Sequence, residues 1–268
     1  MQKLTRIGLA LLTGLGLNLL SIHPSLASAN FKVLPLNMSF EPSGRGATRS
    51  FRVESIGDEP VAVQIQMVSR QMKLDGTEIN LEADNDFLVY PPQILLKPGQ
   101  QQTVRVTWLG NPNPTNELAY RVITEQLPIN LPQDRKDDPN QRSVSLNIKT
   151  LLRYLGSVYI VPKGVASQIV LDSAVHRKGK SGADELAVTF ENQGSAHGLL
   201  RNLNMTITSA GQNSKSPQGT IVQIKSDQLK EVSGQNILAG NKRQFVISWP
   251  AGLPVGPITA TFDVDQNR

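Results

Sequence analysis

Cysteine is absent from the 268 residues, which excludes a disulfide framework, a thiolate metal site and a cysteine nucleophile. Three histidines are too few to populate the common catalytic and metal-ligating arrangements, and neither His176 nor His197 sits in a G-x-S-x-G or H-E-x-x-H setting. Gly179-Lys180-Ser181 has the ending of a phosphate loop, but Ala174 stands where the leading glycine belongs. No sustained apolar repeat of 3.6 residues occurs, so long amphipathic helices are not expected. After the first twenty residues no apolar run approaches the roughly 20 residues needed to cross a bilayer. Catalytic residues, a metal and a cofactor are therefore not expected. The reading is of a non-enzymatic chain.

What is present first is a leader. Lys3 and Arg6 form a positive start, Ile7 to Leu20 is apolar, and Ala27-Ser28-Ala29 offers small residues at a cleavage site before Asn30. These features predict a cleaved signal peptide over residues 1–29 and an exported protein that does not insert in the membrane. The chain has 27 Lys+Arg against 22 Asp+Glu. Losing Lys3 and Arg6 leaves so small a basic excess that nucleic acid is not an expected partner.

Beyond the leader, short β-type runs alternate with turn residues. Phe31 to Phe40, Arg49 to Glu54, Val61 to Val68, Phe87 to Leu96, Thr103 to Trp108, Leu118 to Leu127 and Val144 to Val161 each read as a strand. Gly44, Gly46, Gly57 to Pro60, Asp75-Gly76, Pro98-Gly99 and Asn111 to Pro114 punctuate them. Pro162-Lys163-Gly164 reads as a linker, because proline stops strand pairing and glycine frees the chain. Six further runs follow: Gln168 to Asp172, Glu185 to Glu191, Leu200 to Thr208, Gly219 to Lys225, Arg243 to Trp249 and Ile258 to Val264. The expected fold is all-β, with an immunoglobulin-like β-sandwich over residues 30–162 and a second, smaller sandwich over residues 163–268.

Most chemistry-bearing residues read as structural. Glu82, Asp84 and Asp86 lack the glycine and distal glutamate of a calcium loop and read as a solvated acidic turn. Trp108 and Trp249 end strands and read as core closures, and the two histidines as surface or turn residues. One segment is unusual. From Val144 to Tyr154 the even positions are Val144, Leu146, Ile148, Thr150, Leu152 and Tyr154, a face longer than an ordinary strand of five or six residues. It follows a polar loop from Gln133 to Arg142. Two readings stay open: a last strand with an internal core face, or an amphipathic strand that presents its face to a partner sheet.

The order and spacing of several motifs carry a resemblance. The run from Asp86 through Pro91-Pro92 and Pro98-Gly99 to Arg105, followed by Glu117, Tyr120-Arg121 and Gln126 to Pro128, resembles the periplasmic pilus (fimbrial) assembly chaperones. Leu146 to Pro162 is similar to their long seventh strand, and Glu185 to His197 to the opening of their second domain. The resemblance implies two immunoglobulin-like domains set at an angle, located in the periplasm. It implies a chaperone that binds, folds and caps pilus subunits by donor-strand complementation and delivers them to an outer-membrane usher. The free form would be a monomer or weak dimer. The competing reading is an exported adhesin or pilus structural subunit. Against it, the chain enters its first strand directly after Asn30, leaving no detached donor extension.

By the same resemblance, Val144, Leu146, Ile148 and Leu152 are the donor side chains, and Arg105 and Glu117 belong to an ion network holding the interdomain angle. The acid that completes that network has no match near Leu253. The family's two basic anchors for a client's terminal carboxylate fall on Asn37 and Ser157, neither of which is cationic, and this marks a divergent branch. Arg153 and Lys149 lie four and eight residues before Ser157 on one strand face, so the anchoring charge is expected there, with Arg153 the better fork for a carboxylate.

Overall fold

The computed structural model describes residues 30–129, 150–210 and 219–265. The predicted leader, the loop from Gln133 to Arg142, and Val144, Leu146, Ile148 and Lys149 lie outside the described residues. The first group of strands is β1 (Phe31–Leu34), β2 (Met38–Phe40), β3 (Thr48–Ser55), β4 (Val61–Ser69), β5 (Gln71–Met72), β6 (Glu78–Ile79), β7 (Phe87–Tyr90), β8 (Gln93–Leu96), β9 (Gln101–Trp108), β10 (Leu118–Leu127) and β11 (Arg153–Ile160). The second is β12 (Ile169–Lys178), β13 (Asp184–Asn192), β14 (Gly198–Leu199), β15 (Arg201–Ser209), β16 (Ile221–Ile224), β17 (Asn236–Ile237), β18 (Lys242–Ser248) and β19 (Ile258–Asp265).

Period-two alternation decides which face each strand buries. On β9, Val104, Val106 and Trp108 turn inward while Gln101, Thr103 and Arg105 face solvent. On β3, Phe51 and Val53 are buried and Arg52 is exposed. These faces form a sandwich of a four-stranded sheet, in the order β1-β3-β9-β7, and a five-stranded sheet, β2-β11-β10-β4-β8. Its centre is aromatic. The ring of Phe87 meets Phe40, Trp108 and Tyr120 edge-on, with centroids 6.2, 5.1 and 4.9 Å apart. Each fully buried large apolar side chain contributes about 1.5 to 3 kcal/mol. Tyr120 donates its hydroxyl to Asp86 Oδ2 at 3.1 Å. Burial, reinforced by the Asp86 charge and hydrogen bond, raises its pKa and keeps it a neutral donor.

Two runs expected as single strands are divided. Phe31 to Phe40 breaks at Pro35, and Phe87 to Leu96 breaks at Pro91-Pro92. Proline offers no N–H to a ladder, so pairing stops and the chain crosses between sheets. Thus β1 and β7 lie in the four-stranded sheet, and β2 and β8 in the five-stranded one. A third feature was not expected. The segment from Gln71 to Ile79 is a hairpin whose two short strands, β5 and β6, pair only with each other. Its turn uses Gly76 at φ +83°, a conformation that favours glycine.

After β11 the chain passes Pro162-Lys163-Gly164, with Gly164 at φ +79°, and enters a second set of sheets. These are β12-β13-β18, β16-β15-β19 and the small pair β14-β17. Leu186, Phe190, Leu200, Leu203 and Ile207 form its core, which shares no residue with the first. Trp249 packs against this core and donates its indole N–H to the Leu253 carbonyl at 2.8 Å.

Candidate functional site

The strand β11 is paired unequally on its two sides. Toward β10 it is paired throughout, from Arg153 opposite Glu125 to Ile160 opposite Leu118. On its other side β2 runs parallel to it only at Val158, Tyr159 and Ile160. Just before that, Asn37 Oδ1 accepts the Ser157 N–H at 3.1 Å, and a side chain at Gly156 would collide with the Leu36 carbonyl. The backbone groups of successive strand residues point to opposite sides. The Leu152 carbonyl accepts from Gln126 of β10 at 2.8 Å, so even residues face β10, and the odd residues Arg153 and Leu155 face outward. No described strand covers the outer edge at these two residues.

The side chains alternate with the same period. Leu152 and Tyr154 pack inward at the rim of the first core, with the Tyr154 ring edge-on to Phe31 at 5.1 Å. The opposite face carries the exposed Leu151 and Leu155. Leu152, read from sequence as a donor side chain, therefore packs at the rim of the protein's own core.

The edge leads into a cavity of about 520 Å³ between the two domains, lined by Asn37, Ser157, Arg70, Arg121, Glu78, Tyr159, Asn236 and Arg243 among others. Glu78 is its hub. Arg121 grips it as a fork, Nε donating to Oε2 at 2.9 Å and Nη2 to Oε1 at 2.6 Å. Arg70 adds Nε and Nη2 to Oε1 at 2.8 and 2.7 Å. Burial alone would raise the Glu78 pKa, but the hydrogen bonds and charges of Arg121 and Arg70 outweigh it and hold the pKa below its ordinary value. Arg121 also donates from Nη1 to Ser157 Oγ at 2.5 Å. From the second domain, Arg243 lies over the Phe245 ring, 4.8 Å from its centroid, and donates to the Asn236 carbonyl. Burial, then the like charge of Arg70, lowers its pKa. Three arginines against one glutamate leave the cleft strongly positive.

A second network joins the domains. His197 stacks on Tyr159 with centroids 3.9 Å apart and planes 8° from parallel. The Tyr159 hydroxyl accepts from Arg70 at 2.9 Å and from Asn236 at 2.6 Å. Glu117, with only 1% of its side chain exposed, accepts from the His197 backbone N–H at 3.0 Å, and its Oε1 lies 2.5 Å from His197 Nδ1. The Glu117 N–H donates to the Ser195 carbonyl. The hairpin makes a further tie, as Gln244 N–H donates to the Leu74 carbonyl at 2.7 Å and the Arg243 guanidinium lies against Gly76.

The residues singled out from sequence are distributed accordingly. Asn37 and Ser157 come together in the cleft. Arg153 is half exposed, 3.8 Å from Glu125, away from the cavity. Glu117 lies at the domain junction, whereas Arg105 is exposed on β9 opposite Ser50 and Tyr90. Glu117 pairs with His197, which is thus a junction residue instead of a surface one. His176 pairs with Asp184 and edges against Trp249. Sequence reading missed Arg70, Arg121, Glu78 and Tyr159. The β10–β11 register alone sets Arg121 opposite Ser157. Among the described residues no three acidic or histidine side chains gather as a metal site.

A family profile described as the pili and flagellar-assembly chaperone, PapD N-terminal domain, matches residues 42–156. No curated protein matches the chain. Among solved structures, it is similar to a chain of the CsuC–CsuE chaperone–tip adhesion subunit pre-assembly complex of Acinetobacter baumannii, from archaic chaperone-usher Csu pili. That match has 18% identity and a TM-score of 0.51, covering 86% of this chain and 91% of the other. The class 5 fimbriae chaperone CfaA matches at 15% identity and TM-score 0.49, over 88% and 100% of the two chains. The E. coli chaperone DraB matches at 16% identity and TM-score 0.49, over 84% and 87% of the two chains. Over residues 42–156, less than half of its length, the chain is similar to the N-terminal domain of the pili and flagellar-assembly chaperones.

Proposed function

We propose that this protein is a periplasmic chaperone that caps an incomplete pilus subunit by lending it the free edge of β11, and then delivers it to an outer-membrane usher. The observation that carries this reading is a strand edge, uncovered by any described strand, that runs directly into a basic cleft. A client strand laid along Arg153 and Leu155 would take up their outward N–H and C=O groups, each added hydrogen bond netting about 0.5 to 1.5 kcal/mol. Its progress is blocked where β2 and Asn37 cover the strand from Ser157 onward. The end of the client chain then lies beside Ser157 and Arg121. Positive charge there favours a carboxylate over an amine, which selects a strand running parallel to β11 with its C-terminus in the cleft.

Cation anchoring thus falls to Arg121 and Arg70, whose nearest strand neighbours are Ser157 and Tyr159. Arg153, with its exposed and loosely held pairing, is left a minor role. Val144, Leu146 and Ile148, the alternate apolar residues of the sequence before Leu152, are the proposed donor side chains. The test is co-expression with a pilus subunit of the same organism and capture of the complex from the periplasm. Ile148→Asp should abolish capture while the chaperone alone unfolds at an unchanged temperature. Undiminished capture would overturn the reading.

A further inference from the structure

Glu78 occupies the cations that the proposed client would need. It stands on β6, in a hairpin that is hydrogen-bonded as a sheet only to itself. Its carboxylate can therefore leave the arginines without breaking a strand pair of either sandwich sheet. The two parallel N–H···O bonds from Arg121 have the fork geometry that any chain-terminal carboxylate would use. The side chains of Arg70 and Arg121 are 5% and 15% exposed. Two such cations so close together need a counter-charge at all times, and in the free protein Glu78 supplies it.

Resting on the proposed function above, we propose that Glu78 is an internal stand-in for the client's terminal carboxylate, holding Arg121 and Arg70 in the free protein and yielding Arg121 when a client chain end arrives. Loading is then an exchange of one carboxylate for another. The bound client feels only the difference between the two, which keeps the grip loose enough for later release. If Glu78 holds the fork in about nine molecules of ten, the apparent affinity for a carboxylate is reduced about tenfold. The exchange also reaches the second domain. The same hairpin contributes the Leu74 carbonyl to Gln244 and packs Gly76 under Arg243, so displacement of Glu78 loosens a tie between the domains.

The test uses the full exported chain and two N-acetylated peptides of alternating valine and threonine, identical except for a free or an amidated C-terminus, with dissociation constants measured by fluorescence anisotropy. The wild type is expected to prefer the free carboxylate. Glu78→Gln should bind the carboxylate peptide about tenfold more tightly and the amide peptide no more tightly, even though the variant alone unfolds at a lower temperature. Glu78→Asp, charged but one methylene shorter, should fall between. A merely structural glutamate would lower stability and affinity together. A preference for carboxylate in the wild type with unchanged or weaker binding by Glu78→Gln would overturn the stand-in role and leave the client reading intact. Equal binding of both peptides by the wild type, or none, would overturn that reading and the stand-in role with it.

Discussion

Glu117→Ala removes the carboxylate by which the segment just before β10 holds the second domain, and its cost can be worked from the contacts. Glu117 is nearly inaccessible and accepts from the His197 backbone N–H, with His197 Nδ1 at 2.5 Å from the same oxygen. Truncation leaves two donors facing the space where that oxygen stood. A buried donor left unsatisfied costs about 1 to 3 kcal/mol, and water entering at the partly exposed His197 offsets some of this. The net loss is about 2 to 4 kcal/mol. For a chain of this size about 2 to 4 °C is lost per kcal/mol, so the midpoint should fall by roughly 4 to 16 °C. The stacked His197 also loses its fixed orientation on Tyr159, so the interdomain angle should broaden. Thermal unfolding followed by circular dichroism reads the first effect, and small-angle X-ray scattering reads the second. Glu117→Gln, which retains an acceptor for the backbone N–H, should lose about half as much. A midpoint within 1 °C of the wild type for Glu117→Ala, with an unchanged scattering profile, would refute the argument.

Gly156→Ala should destabilise the first domain by about 1 to 3 kcal/mol, since the new methyl meets the Leu36 carbonyl and Val122 Cγ1, and β2 must shift to admit it; a denaturant midpoint equal to the wild type would contradict this. The lowered pKa of Glu78 gives stability that is fully present above its ordinary value of 4.5 and is lost as the pH falls through the lower folded value. The charged groups facing it are Arg70, Arg121 and Arg243, with Asp75 on its own hairpin. Between pH 6 and pH 3, urea titrations should show the wild type losing more stability than Glu78→Gln, and parallel losses would contradict the assignment. N-terminal sequencing of the exported protein should begin at Asn30, and a retained Met1 would show that the leader is not cleaved.

The β-strands were legible where alternation is strong and uninterrupted. Val104, Val106 and Trp108 announce the inward face of β9 from sequence alone. The same logic failed at Pro35 and Pro91, because residue periodicity does not say when a strand changes sheet, whereas the missing proline donor does. Of the hairpin from Gln71 to Ile79 only the Asp75-Gly76 turn was legible, as two-residue strands carry no period. That single omission hid Glu78 and, with it, the reason Arg70 and Arg121 matter. Arg121 was quoted as part of a motif, but only the pairing of β10 with β11 brings it to Ser157. Arg153 attracted attention through its place on the same strand face as Ser157, yet four residues of strand carry it roughly 13 Å away. Arg105 and Glu117 were linked by resemblance, and the fold sets Arg105 on the exposed face of β9 and Glu117 buried just before β10.

Strand addition at β11 is the central claim, and amide hydrogen exchange on the free protein and on its proposed complex with a pilus subunit tests it most directly. In the free protein the Arg153 and Leu155 amides, which point outward with no described strand beside them, should exchange rapidly, while Tyr154, Val158 and Ile160 are protected by β10. In the complex Arg153 and Leu155 should become protected by at least tenfold, with the other three unchanged. If these two amides exchange as fast in the complex as in the free protein, the client does not pair with this edge and the account is contradicted.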